Sequence, residues 1–143
     1  MTVEEFWQQF KNSHPEVTTN DYDAYAFVDA DALAHLVKIG RKTATTSALD
    51  LYDENDARPQ VGEYSIILDS QNQPVCVTQT KVVETIPFDQ VSAEHAYHEG
   101  EGDRTLAYWR DVHRRVFSSF YQQCNREFNE QISCLCEVFE RVD

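Results

Sequence analysis

The chain is poor in glycine, proline and positive charge. Its 143 residues include four glycines and four prolines, which argues against a linker-rich or disordered chain. It has no apolar run of the roughly 18 residues that a membrane-spanning helix needs, and its first residues are acidic where a signal peptide is basic. We therefore predict a cytoplasmic protein with no membrane partner. The hydrophobic fraction of 41% is enough for one core, so we predict a single domain over residues 1–143.

The shortage of positive charge limits the partners. Twelve lysines and arginines stand against 25 aspartates and glutamates, which gives a formal net charge of -13. Binding to a polyanion needs clustered cations, so this balance excludes long duplex DNA as a partner. Local cationic spots are present at Arg41 with Lys42 and around Arg110. A small ligand such as a nucleoside, or a short single-stranded RNA, is compatible with them.

Several common catalytic signatures are also absent. The chain has no G-x-x-x-x-G-K-[ST], H-E-x-x-H, G-x-S-x-G or G-x-G-x-x-G motif. P-loop nucleotide hydrolysis, zincin proteolysis and α/β-hydrolase chemistry are therefore excluded. Cys134 and Cys136 are closer together than paired zinc ligands usually are, and His95 with His98 lacks a convincing third ligand. We predict free buried thiols, no metal site and no cofactor.

What the chain does contain is a mixture of helical and strand patterns. Apolar residues at helical spacing and capping residues predict helices at residues 3–11, from 29 or 31 to 39, 92–98 and 105–122. Alternating and β-branched segments predict strands at residues 43–51, 62–69, 75–86 and 134–142. Strands and helices do not alternate regularly, which favours an α+β fold over a doubly wound sheet. Residues 1–30 are predicted to form an N-terminal helical extension packed on the domain.

The segment from Gly40 to Ser47 concentrates reactive groups. Gly40 ends a predicted helix, and Lys42 lies three residues before Thr45. A hydroxyl becomes a nucleophile when a base removes its proton or a nearby cation holds the alkoxide, and a lysine can play either part. On spacing alone, an exposed lysine beside a threonine-rich strand explains the pattern more simply.

An acidic loop is the second unusual segment. Glu99, Glu101 and Asp103 are separated by two of the four glycines. Such a loop presents carboxylates for acid–base work, for a cation, or for hydrogen bonds from a base or ribose. The alternative is a solvated turn in which Asp103 caps the following helix. His113, in the apolar stripe of that helix, is either a core histidine or a pocket-facing one near the acidic loop.

These segments together resemble the activating signal cointegrator homology (ASCH) domain in its compact, stand-alone bacterial form. The resemblance rests mainly on the stretch from Gly40 to Thr45, the acidic loop at residues 99–103, and Tyr108-Trp109-Arg110 with His113. It implies a PUA-like fold, a small curved β-barrel with flanking helices and a cleft. It also implies an association with RNA and modified nucleobases.

The resemblance further implies a catalytic set. One branch of the family is an amidohydrolase that removes the acetyl group from N4-acetylcytidine, with a lysine, a threonine and a glutamate as its catalytic residues. By motif these correspond to Lys42, Thr45 and Glu99, although this chain is longer and its acidic loop is richer than in that branch. The substrate-binding residues that we predict around this set are Arg41, Ser47, Glu101, Asp103, Trp109 and His113.

A second function follows from other members of the family, which are ribonucleases or RNA binders. In that case Arg41, Lys42 and Arg110 would contact phosphates, and Trp109 or Tyr97 would stack on a base. The sequence thus leaves three alternatives. They are an amidohydrolase acting on a modified nucleoside, a module that binds or cleaves short single-stranded RNA, and a regulatory module that binds a small metabolite without turnover.

Overall fold

Helices lie on both sides of a curled five-stranded sheet in the computed structural model, which describes every residue from Met1 to Asp143. In chain order the helices and strands are α1 (Val3–Ser13), β1 (Asp23–Ala26), α2 (Ala30–Lys38), β2 (Ala44–Ala48), β3 (Tyr64–Leu68), β4 (Pro74–Pro87), α3 (Ala93–Glu99), α4 (Leu106–Gln123) and β5 (Ser133–Arg141). Short 3₁₀ turns follow β2 at Leu49–Leu51 and β4 at Phe88–Gln90. None of the helices has the length and apolar composition that crossing a bilayer requires.

The sheet has the strand order β1-β3-β4-β5-β2 and is antiparallel except for the β1–β3 pair. Strand β4 is 14 residues long and pairs with two neighbours. Its first half pairs with β3 and its second half with β5, and the β5 register shifts between Thr80 and Val82. Such irregularities increase local bend and twist, so β4 carries the curvature of the sheet.

The flanking helices bury their apolar faces in separate parts of the core. Trp7 and Phe10 of α1 pack with Ile66 of β3 and Val77 of β4. The predicted long helix is present as α4, and it packs against the other end of the sheet. Its buried residues are Trp109, Phe117 and Tyr121. The helical periodicity of the sequence therefore identified both the elements and the faces that they bury.

Strand β1 was not predicted. Its four residues, Asp23–Ala26, have exposed ends and half-buried centres. So short an edge strand shows no alternation that a sequence pattern can detect. The first 30 residues thus contribute a strand to the sheet in addition to helix α1. The strand predicted over residues 43–51 is also shorter, because the chain turns into a 3₁₀ helix at Leu49.

Candidate functional site

The turn between α2 and β2 directs Lys42 into the protein. Gly40 adopts a left-handed conformation with φ +82°, as expected for a glycine that ends a helix. The backbone N–H groups of Arg41 and Lys42 then both donate to the carbonyl of Leu36, at 2.9 and 3.0 Å. The chain reverses within these few residues, and Lys42 is left only 1% exposed.

The acidic loop is held against this turn. Gly100 follows α3 with φ +75°, and a side chain there would collide with the backbone carbonyl of Arg41. The Arg41 guanidinium donates to the carbonyls of Gly100 and Gly102, at 2.8 and 3.0 Å. Arg41 therefore fastens together two turns that are far apart in the sequence, and this contact requires glycine at position 100.

Lys42 lies between two carboxylates. Its Nζ donates to Glu101 Oε2 at 2.9 Å, to Glu99 Oε1 at 3.3 Å and to the carbonyl of Ala44 at 2.9 Å. The side chain of Glu99 is 2% exposed and that of Glu101 is 20% exposed. The ammonium also lies 5.1 Å from the centre of the Phe27 ring. A lysine buried this completely needs such partners, because an unpaired buried charge is very costly.

Glu99 is held by further donors on its other oxygen. Thr46 Oγ1 donates to Glu99 Oε2 at 2.7 Å, and the indole Nε1 of Trp109 donates to the same oxygen. Since the single hydroxyl proton of Thr46 is used in this way, His95 Nε2, 2.9 Å from Thr46 Oγ1, must be the donor to that hydroxyl. The carboxylate is thus fixed by a chain of hydrogen bonds that begins at His95.

His113 completes the wall of the site. Its ring stacks on Trp109 with centroids 4.2 Å apart, and its Nδ1 donates to the Trp109 carbonyl at 2.8 Å. A carbonyl oxygen can only accept, so Nδ1 carries a proton and Nε2 is the nitrogen free to face the site. Nε2 lies 3.7 Å from Glu99 Oε1.

These contacts set the charge state of Glu99. Burial by itself would raise the pKa of Glu99, but the Lys42 ammonium, hydrogen bonding from His95 and Trp109, and the proximity of His113 outweigh it. The net result is a pKa below the ordinary value of a glutamate. Glu99 is therefore an anion across the ordinary pH range and a strong partner for the Lys42 ammonium.

One cavity adjoins this cluster, and a second cavity neighbours the first. The smaller, about 230 Å³, has Lys42, Glu99, Glu101 and His113 in its polar wall. The opposite wall is apolar and includes Leu33, Val112, Val116 and Phe120. The larger cavity, about 740 Å³, is lined by Thr45 and Ser47 of β2. Phe27 and Thr45 line both cavities, so the two cavities meet at these residues.

The larger cavity is acidic and aromatic. Its walls include Asp23, Glu63 and Glu137 together with several tyrosines, and no lysine or arginine lines it. Burial, with the charge of Asp23 as a smaller contribution, raises the pKa of Glu137, although a hydrogen bond from Thr80 opposes the rise. Burial raises the pKa of Glu63 as well, and the charges of Glu137 and Asp23 add to this effect. The carboxylates of this cavity lack the cation that Glu99 has.

A family model described as the ASCH domain matches residues 23–143. The chain belongs to the ASCH family. It superposes on the high-resolution crystal structure of an ASCH domain from Lactobacillus crispatus JV V101 with a TM-score of 0.85 and 28% identity, covering 96% of this chain and 94% of that one. It is also similar to protein EF3133 from Enterococcus faecalis V583, with a TM-score of 0.88 and 38% identity over 99% of this chain and 93% of that one. No curated protein matches the chain.

These similarities confirm the predicted α+β, PUA-like fold, with the sheet as a curled half-barrel. Within this ASCH domain, five of the predicted site residues meet in one cluster. They are Lys42, Glu99, Glu101, Trp109 and His113. Arg41 lies beside them, but its guanidinium is engaged with loop carbonyls.

The remaining predicted residues lie further out. Thr45 lines both cavities, but the hydroxyl that reaches Glu99 is that of Thr46. Ser47 belongs to the larger cavity and hydrogen bonds with the hydroxyl of Tyr52 at 2.9 Å. Asp103 is exposed and accepts from the backbone N–H and hydroxyl of Thr105. Thr105, and not Asp103, is the N-cap of α4, so the structural alternative for this loop was wrong about the capping residue.

Thr46 was missed by the sequence reasoning, and a usable signal was present. In a strand, side chains alternate between faces, so the buried Ala44 and Ala48 place Thr46 on the inner face and Thr45 on the other. His95 was considered as a metal ligand, whereas the structure uses it to hold Thr46. No group of three or more histidine, cysteine, aspartate or glutamate side chains is arranged to hold a metal ion.

The cysteines do not supply a nucleophile to the site, although Cys136 is the cross-strand neighbour of Thr46. All four are free, with Cys76, Cys134 and Cys136 buried and Cys124 exposed. Burial raises the pKa of Cys134 and of Cys136 to about 12. Both stay as thiols at neutral pH, which makes them poor nucleophiles.

Proposed function

We propose that this ASCH domain is an amidohydrolase that removes an acyl group from a modified nucleoside such as N4-acetylcytidine. The observation that carries the proposal is the ammonium of Lys42, buried between Glu99 and Glu101 in the wall of the smaller of two neighbouring cavities. Buried ion pairs contribute little net stability, whereas charges in a cleft are typical of catalytic sites. The larger cavity, about 740 Å³, is within the usual size range for a site that holds a small molecule.

Lys42 supplies the positive charge that amide hydrolysis needs. Attack on the carbonyl carbon places negative charge on the oxygen, and a donor fixed in advance stabilises that charge. The Nζ of Lys42 is held in place by its contacts with Ala44, Glu99 and Glu101. All three N–H donors of Lys42 are engaged by these contacts, so its fixed positive charge acts on the developing oxyanion, and direct donation requires release of Glu101, the partner that is 20% exposed.

Thr45 is the proposed nucleophile because it lines both cavities. Its hydroxyl oxygen adds to the acyl carbon, the C–N bond breaks, and the amine leaves with a proton. Water then hydrolyses the ester on Thr45, so that amide and water become carboxylate and amine. Thr46 is a positioning residue, since its hydroxyl is engaged with Glu99.

The two carboxylates, Glu99 and Glu101, have different proposed roles. Glu99 is buried, hydrogen-bonded on both oxygens and low in pKa, which suits an anion that fixes Lys42. Glu101 is 20% exposed and borders the small cavity, so it is better placed to take the proton from Thr45 and return it to the leaving nitrogen.

The RNA alternative is less well supported by the contacts. The guanidinium of Arg110 donates to the carbonyls of Phe88, Asp89 and Val91. Arg41 is similarly engaged with the acidic loop, and Lys42 is buried between carboxylates. The cations proposed to contact phosphates therefore already have partners, although the ASCH family as a whole is associated with RNA binding.

Acetate release from N4-acetylcytidine by the purified protein tests the proposal. We expect turnover by the wild type and a loss of at least about 10²-fold in Lys42→Ala, the effect of removing one fixed donor to an oxyanion. Lys38→Ala is the matched control, because Lys38 is an exposed lysine at the end of α2. Full activity in Lys42→Ala, or no acetate release by the folded wild type, would contradict the proposal.

A further inference from the structure

The junction of the two cavities constrains how a substrate can lie. Thr45 and Phe27 line both cavities, and Lys42 belongs to the wall of the smaller one. If the proposed amide hydrolysis is correct, the carbonyl must lie at this junction, within reach of the Lys42 ammonium. The two halves of the amide then extend in opposite directions, one into each cavity.

The smaller cavity suits an acyl chain. Beyond its polar wall it is bounded by Leu33, Val112, Val116 and Phe120, which are apolar and partly exposed. Its volume of about 230 Å³ is less than a third of the 740 Å³ of the larger cavity, so the smaller half of the amide matches the small cavity and the larger half matches the large one. Apolar walls favour a hydrocarbon chain over a sugar.

The larger cavity suits the amine-bearing half. Tyr25, Tyr52 and Tyr64 offer aromatic surface for a base, and Asp23 and Glu137 offer acceptors for amino and hydroxyl hydrogens. No lysine or arginine lines this cavity to balance its carboxylates. A phosphate would meet these carboxylates without a compensating cation, and the repulsion would exclude it.

We propose that the substrate lies across Thr45 with its acyl group in the small apolar-walled cavity and its nucleoside in the large acidic cavity, and that the large cavity rejects phosphorylated nucleosides. This inference rests on the proposed function. The acyl carbon bonds to the Thr45 oxygen as the C–N bond breaks and the threonine proton passes to the nitrogen, and water then hydrolyses the Thr45 ester to the carboxylate and free threonine. The carboxylate product then leaves from the small cavity, and the amine product from the large one.

Two variants separate the two cavities. Val116→Phe narrows the small cavity, and Glu137→Gln removes a charge from the large one. For Val116→Phe we expect kcat/KM for N4-butyrylcytidine to fall at least tenfold relative to N4-acetylcytidine, with an unchanged preference for nucleoside over 5′-monophosphate. For Glu137→Gln we expect an unchanged acyl preference and a severalfold rise in kcat/KM for the 5′-monophosphate of N4-acetylcytidine relative to the nucleoside. Glu140→Gln, exposed on the same strand, controls for net charge.

Other results would overturn the assignment. If Val116→Phe alters the preference for nucleoside over 5′-monophosphate and Glu137→Gln alters the acyl preference, the substrate is reversed, with its nucleoside in the small cavity and its acyl group in the large one. If the variants have the Tm of the wild type and neither the acyl preference nor the preference for nucleoside over 5′-monophosphate changes, the cavities do not hold the substrate as proposed. Should Val116→Phe fail to fold, Val112→Leu is a smaller change in the same wall and must produce the same trend.

Binding of the product tests the large cavity without turnover. By calorimetry, cytidine should bind the wild type at least tenfold more tightly than cytidine 5′-monophosphate, and Glu137→Gln should narrow this difference. If the difference is present but no acyl cytidine is hydrolysed, the proposed function fails and the assignment of the large cavity stands. If hydrolysis occurs and the 5′-monophosphate binds equally well, the inference fails and the proposed function stands.

Discussion

The two cavities of this ASCH domain shift the pKa values of their carboxylates in opposite directions. Beside the small cavity, Lys42 and several hydrogen-bond donors hold the pKa of Glu99 below its ordinary value. In the large cavity, burial raises the pKa of Glu63 and of Glu137, and no lysine or arginine is present. A charge with fixed partners suits a reaction that needs a defined electrostatic field. Carboxylates without a cation suit the selection of a ligand that brings its own donors.

Removal of Lys42 should produce the largest loss of stability, because it leaves the buried carboxylate beside the small cavity without a cation, as in the large cavity. In Lys42→Met, Glu99 stays buried without its ammonium, and breaking a buried pair in this way typically costs about 3–5 kcal/mol. We expect urea unfolding at pH 7 to show a loss of this size. A second change, Glu99→Gln, should restore part of the stability because it removes the unpaired charge.

The pH dependence of that loss has a defined sign. A lowered folded-state pKa gives stability that is present above the unfolded pKa and is lost as the pH falls through the folded one. The stabilising contribution of ionised Glu99 is removed in Lys42→Met. The difference between wild type and variant should therefore be largest at neutral pH and should narrow below about pH 4, near the ordinary pKa of glutamate. A difference below about 1 kcal/mol at pH 7 would show that the pair contributes little.

The next largest effects are expected from substitutions of the two threonines of β2, which should differ in their effects on turnover and on stability. Thr45→Val should reduce turnover by at least about 10³-fold without a large change in Tm, because it removes the proposed nucleophile. Thr46→Val should reduce turnover less, by about tenfold, and should cost about 1–2 kcal/mol in unfolding free energy, because Glu99 loses a buried hydrogen bond. Steady-state kinetics and urea unfolding of the two variants test this. If Thr46→Val is the inactive one, the nucleophile is not Thr45.

The same strand shows how far the sequence could predict the site. The resemblance indicated Lys42 and Glu99, and the structure places them in contact. The choice between Thr45 and Thr46 as the partner of Glu99 depends on which face of β2 is buried. In the sequence, that information lies in the spacing of Ala44, Thr46 and Ala48, which places these three residues on one face of the strand.

Other features depend on contacts between distant segments. The contact between Arg41 and the loop at Gly100 joins residues that are 59 positions apart, and no local pattern encodes it. The parallel pairing of Asp23–Ala26 with β3 likewise joins a short, half-exposed segment to a distant strand. By contrast, the long amphipathic helix α4 and the β3–β4 hairpin have strong local periodicity and were predicted.

The smallest predicted effect is the contribution of Glu137, in the large cavity, to stability. Its dependence on pH has the opposite sign to that of Glu99. A raised folded-state pKa means that the neutral form of Glu137 is favoured, so stability is present below the unfolded pKa and is lost as the pH rises through the folded one. Glu137→Gln cannot ionise, and its amide oxygen can still accept from Thr80. We expect Glu137→Gln to raise Tm at pH 8 by roughly 2–4 °C, the shift that about 1 kcal/mol produces in a domain near this size.

The effect should vanish at pH 4, where the wild-type carboxyl is largely protonated in the folded protein. Glu140→Gln removes the same charge from an exposed position of β5 and should leave Tm nearly unchanged at both pH values. Thermal melts of the three proteins at the two pH values provide the measurement. Equal stabilisation by Glu137→Gln at pH 4 and pH 8 would mean that its ionisation is not penalised, and the contrast between the two cavities would then lie in their shape rather than in their charge.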